Sequence, residues 1–170
     1  MRIDEEIMKI NKKLEEHDVK IKELEKILRI SKAVKQKVYI TSSEEGLEKI
    51  AEKTGIEKEK IQMRYDLEEE QLTLLSVVGK DDREKIKNAA LLVLLGYKYI
   101  FGEDNILSKE IRRNIAVNRI TINNFATILN DIIPSFICKK GKPKSPKTTH
   151  KLTLRGEAEA KELLKELCKQ

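Results

Sequence analysis

The chain has 170 residues, with 35 Lys and Arg against 29 Asp and Glu, a net charge of +6 and a mean hydropathy of −0.50. Its longest apolar stretch, Ala89 to Leu95, falls far short of the roughly 20 residues that a spanning helix needs, so an integral membrane protein is excluded. The polar, acidic start Met1–Glu6 shows no signal peptide and Cys138 and Cys168 read as reduced thiols, so a soluble cytoplasmic protein is expected.

Residues 1–37 carry 11 basic and 8 acidic groups. Within them Ile3, Ile7, Ile10, Leu14, His17, Ile21, Leu24 and Leu28 recur at alternating spacings of four and three. That period of about 3.5 marks a coiled-coil seam rather than a helix resting on a globular core. In a parallel pair Lys13 meets Asp18 and Lys20 meets Glu25. The antiparallel register that stacks Ile7 on Leu24 sets Lys13 against Lys20 and Asp4 against Glu25. A parallel homo-oligomer is therefore expected, a dimer ahead of a trimer. His17 is the one polar group in the seam.

Residues 38–83 read as an acidic helical subdomain. Ser42 or Ser43 caps a helix through Leu47, Ile50 and Ala51, and Gly55 turns the chain into a second helix from Glu57 to about Tyr65. Glu57, Lys58, Glu59 and Lys60 match phosphate poorly, so this part is expected to pack or to contact protein. Leu67 and the run Leu72 to Val78 read as short extended segments closed by Gly79.

Residues 84–170 begin with a helix from Glu84 to about Phe101, whose centre Ala89 to Leu95 is apolar on every face and must be buried on all sides. Ser108 caps a short helix through Ile115, and Asn118 to Thr121 turns the chain. A third helix, Ile122 to Ile133, points Ile122, Phe125, Leu129, Ile132 and Ile133 inward until Pro134 stops it. Two β-like runs, Ser135 to Cys138 and His150 to Leu154, flank a loop rich in Lys, Pro and Gly, and a last helix runs from Glu157 to Cys168. The stretch Ile132 to Gly156 contains no acid, and such a field attracts polyanions.

Three helices, strand, basic loop, strand and helix, together with Lys151, Leu152, Thr153, Leu154, Arg155 and Gly156 running into the last helix, resemble the winged helix-turn-helix family of DNA-binding proteins. The resemblance covers about residues 84–168, with a longer and more Pro-rich loop, Lys139 to Thr149, than the usual wing. The expected fold class is mainly α with a small β wing: an N-terminal coiled coil, an acidic helical middle and a C-terminal winged helix. The resemblance implies a third helix in the major groove, with Asn123, Asn124, Thr127 and Asn130 reading bases. It implies phosphate contacts from Arg112, Arg113 and Arg119 and from the wing residues Lys139, Lys140, Lys142, Lys144, Lys147 and Lys151.

Joined by the coiled coil, two such modules would make a dimeric transcriptional regulator on double-stranded DNA. The alternative is a protein-assembly or architectural module that uses the same elements for protein contacts or DNA bridging. No enzyme is expected. His17 and His150 lie in different segments without a triad arrangement, no Cys/His cluster has zinc spacing, and Gly79-Lys80 lacks the spacing of a phosphate loop. Glu68 to Glu70 and Asp81-Asp82 read as solvated surface, so no metal or cofactor is expected.

Overall fold

The computed structural model describes residues 17, 20–31, 43–68, 71–142 and 145–169. The chain divides into two units, Met1–Ile40 and Thr41–Gln170. In the first, residues 20–31 are helical, as is His17, and every one of them is exposed. Ile21, Leu24 and Leu28 are each more than half exposed, so this part of the apolar stripe faces solvent. Ile3, Ile7, Ile10 and Leu14 lie outside the described residues. No helix among the described residues is long and apolar enough to cross a membrane.

The second unit is mainly helical with two small antiparallel sheets. Helix α1 (residues 43–54) ends at Gly55, whose φ of +69° supplies the expected left-handed turn. Helix α2 (Lys58–Gln62) is shorter than expected, because the chain straightens at Tyr65 into a hairpin. That hairpin pairs β1 (Tyr65–Glu68) with β2 (Gln71–Leu74), Tyr65 opposite Leu74 and Glu68 opposite Gln71. The extended run expected from Leu72 to Val78 is thus regular only as far as Leu74.

Helix α3 (Asp82–Gly96) is the central beam. Asp81 caps it by accepting from Glu84 N at 2.8 Å, while Glu84 Oε2 reaches back to Lys80 N, a reciprocal arrangement close to a capping box. Ala89 to Leu95 are all at most 2% exposed, and each Leu so buried is worth about 1.5–3 kcal/mol relative to exposure. The helix passes into a π-helical turn, Tyr97–Phe101, that closes at Gly102 with φ +71°. Tyr65 Oη donates to Leu92 O (3.0 Å), tying the acidic hairpin to the beam. Residues from both the acidic middle and the C-terminal part fill one hydrophobic core.

After β3 (Ile106–Leu107) come α4 (Ser108–Val117) and α5 (Phe125–Asp131), then β4 (Ile137–Lys140), β5 (Thr149–Leu152) and α6 (Leu154–Leu167). The second sheet has the order β3-β5-β4, with Ile106 opposite His150 and Ile137 opposite Leu152. Two expectations change here. Ser108 does not cap α4: Leu107 is the cap residue, and the Ser108 hydroxyl turns to β5. The third helix starts three residues later than expected because Asn124 holds φ +63°, and it ends at Asp131 before a run of turns.

Helix α6 starts three residues earlier than expected. Thr153 accepts from Gly156 N (3.0 Å) and donates to Ser135 O (2.8 Å), so one hydroxyl both caps the helix and pins it to the chain before β4. Gly156 has to be Gly, since a Cβ there would sit 1.8 Å from Phe136 O. The Thr-x-x-Gly spacing seen in the sequence therefore has a physical cause.

Candidate nucleic-acid interface

Helix α5 buries Phe125, Ile128 and Leu129 and exposes Ala126, Thr127, Asn130 and Asp131. Asn123 and Asn124, in the turn before it, are exposed too. All four expected base-reading residues are thus on the surface, and Phe125 to Asp131 contain no Lys or Arg. Asn123, Asn124 and Thr127 line one wall of an open cleft of about 540 Å³, floored by Ile86 and Ile128. The first turn of α3 contributes Asp82 and Arg83 to the same cleft. Arg83 pairs with Asp131, which neutralises the only charge α5 carries.

The arginines split three ways. Arg112 is exposed, its guanidinium 5.0 Å from the Phe125 ring centroid at the start of α5, a stacking geometry that orients it without neutralising it. Arg119 is exposed and stands at φ +56°. There it closes α4 with a bond from its own N to Ala116 O (3.0 Å) and one from Ile120 N to Ile115 O (3.4 Å), the paired pattern in which Gly is the usual residue. Arg113 differs from expectation: it donates to Gln71 Oε1 and to Leu72 O, both at 2.8 Å, and pairs with Glu110. Its guanidinium is engaged by the β1–β2 hairpin rather than turned outward to phosphates.

On the β4–β5 hairpin Lys139, Lys140, Lys142, Lys147 and Lys151 are exposed, and none forms an ion pair with another described residue. Lys144 lies outside the described residues. Thr148 anchors the hairpin: its Oγ1 donates to Lys142 O (2.9 Å), and its carbonyl accepts from Ser108 N (3.0 Å). Gly141, at φ +117°, brings the two arms together at the loop.

Sequence reasoning gave His150 no role, yet it is 4% exposed and sits 2.8 Å from Ser108 Oγ. Ser108 Oγ is also 3.2 Å from Thr148 O, so the consistent arrangement has His150 Nε2–H donating to Ser108 and Ser108 donating to Thr148. Nδ1 is left without a partner, which costs less as an unprotonated acceptor than as a donor. Burial, reinforced by Lys139 across the strands, pushes His150 down to about 4, so it stays neutral and structural. Among the described residues no group of His, Cys, Asp and Glu could hold a metal ion.

Elsewhere Glu157 accepts from Lys98, Lys161 and Tyr99, each at 2.6 Å. Burial alone would raise its carboxyl, but these three donors together hold it down at about 2. The cluster fastens α6 to the π-helical turn. The chain matches no family model, no curated protein and no solved structure.

Proposed function

We propose that the chain is a double-stranded DNA-binding protein of the winged-helix kind, a cytoplasmic transcriptional regulator that works as a coiled-coil dimer. The observation that carries the reading is the pairing of two surfaces in one unit. Five exposed lysines, none of them ion-paired with another described residue, lie on the β4–β5 hairpin, and a polar face whose one carboxylate, Asp131, is paired with Arg83 lies on α5. The order α3, β3, α4, α5, β4, β5 with the sheet β3-β5-β4 supports it further, as this is the element order of a winged helix. The lysines, with Arg112 and Arg119, grip phosphates, while Asn123, Asn124, Thr127 and Asn130 meet base edges. Exposed Ile21, Leu24 and Leu28 supply the seam that joins two copies.

The test is fluorescence anisotropy of the full chain on random duplex DNA at two salt concentrations, against a variant with Lys139, Lys140, Lys142 and Lys147 changed to Glu. The expected result is salt-dependent binding. The variant binds more weakly, and its log–log salt slope falls by about 0.9 for each phosphate that is no longer neutralised. An absence of binding at low salt, or an unchanged slope in the variant, overturns the reading. A protein-assembly role draws on a different observation: the Asp82 carboxylate lines the same cleft as Asn123, Asn124 and Thr127 and opposes phosphate. Partners that co-purify after nuclease treatment would favour it.

A further inference from the structure

We infer that the preferred duplexes are A·T-rich and that the preference is read chemically in the major groove by α5 and the turn before it. The inference rests on the DNA-binding reading above and adds which base pairs are sought.

The chemistry of the exposed face is narrow. With about 3.6 residues per turn, Thr127 and Asn130 fall opposite the buried Phe125, Ile128 and Leu129, and Ala126 flanks them. Asn123 and Asn124 extend the face from the left-handed turn at its start. A carboxamide matches adenine, accepting from N6 and donating to N7, and the methyl groups of Thr and Ala suit the thymine C5-methyl. The commonest guanine contact, a cationic fork on O6 and N7, has no donor here, because Phe125 to Asp131 lack Lys and Arg. Asp131, which would accept from the cytosine amino group, is paired with Arg83. What remains on the face is three amides and small methyl-bearing side chains, a set with partners on A·T pairs and few on G·C.

Arg112 is the competing reader. Its guanidinium stacks on Phe125 beside the first turn of α5, within the same neighbourhood as Asn124. If it entered the groove it would seek guanine. The hairpin lysines offer a second competing cause, since A-tracts have a narrow, electronegative minor groove that attracts cations without base contacts.

The experiment separates all three. The full chain selects duplexes from a random library, and the enriched sequence is then remade with single-atom changes. Replacing adenine by 7-deazaadenine removes the major-groove N7 and leaves the minor groove intact, and replacing thymine by deoxyuridine removes only the methyl. We expect enrichment of A·T pairs, a loss of about three- to tenfold at each contacted adenine, and a smaller loss at contacted thymines. Asn124→Gly, which keeps the left-handed backbone, should flatten the preference. Because the DNA-side changes leave the protein intact, a folding defect cannot produce their effects. An A·T preference indifferent to 7-deazaadenine and deoxyuridine overturns the inference in favour of groove shape. Sensitivity to 7-deazaguanine alone overturns it in favour of Arg112. Salt-dependent binding with no base preference overturns it while leaving the DNA reading standing, and absence of binding to any duplex removes both.

Discussion

Arg119 holds a backbone conformation that costs an L-residue about 1–2 kcal/mol, at the position where Gly would close the helix without strain. Arg119→Gly should therefore stabilise the fold by about 0.5–1 kcal/mol, after subtracting the extra entropy a Gly loses on folding. The same change should weaken DNA binding and lower the salt slope by about one phosphate. Urea denaturation and anisotropy read the two effects separately; a less stable variant would show that the side chain is structural. His150 gives a pH prediction. It is neutral when folded, down to about 4, and takes up a proton below about 6.5 when unfolded. Its contribution is whole above pH 6.5 and is lost as pH falls towards 4, about 3 kcal/mol in all. Glu157, also depressed, loses its contribution only below its ordinary 4.5. Between pH 6.5 and 4.5 the decline should follow His150, and His150→Gln should flatten the urea midpoint there.

Helix α4 completes the edge of a sheet. Asn114, 1% exposed, accepts from Leu74 N at 2.6 Å and donates to Leu72 O at 3.1 Å, and Asn118 donates to Leu74 O at 2.7 Å. Side-chain amides thus do for β2 what a third strand would. Asn114→Leu leaves Leu74 N unpaired in the core and should cost about 2–4 kcal/mol in urea denaturation; a loss under about 1 kcal/mol would mean that the hairpin edge is solvated. This is also where sequence reasoning stops. The all-round apolar centre of α3, the turn at Gly55 and the order of elements after Ile106 were legible, because composition and spacing express them within a few residues. So was the exposure of Thr127 and Asn130, set by the period of α5; Asn123 and Asn124 are exposed too, but from the left-handed turn before it. Arg113, Asn114, Ser108 and His150 were not, since their partners lie about forty residues away. Arg113 and Arg112 are adjacent and chemically identical, and the position of the hairpin engages the first while the second stays exposed.

At the scale of the molecule, the stripe Ile21, Leu24 and Leu28 is left unburied in a single copy. Light scattering should give a multiple of the 19.7 kDa chain mass, and Leu24→Glu should return it to one chain while leaving the Thr41–Gln170 unit folded by circular dichroism. An unaltered mass in that variant would assign assembly to another surface. The beam at the centre of that unit has a separate consequence. Ala89 to Leu95 are closed off on every side, so their amides meet solvent only when the whole unit opens, and deuterium uptake there is a clock for global unfolding. Any ligand of the folded state slows that clock by its own binding free energy. The slowest amides of α3 therefore report binding at a surface they never touch, whatever the ligand and wherever it sits.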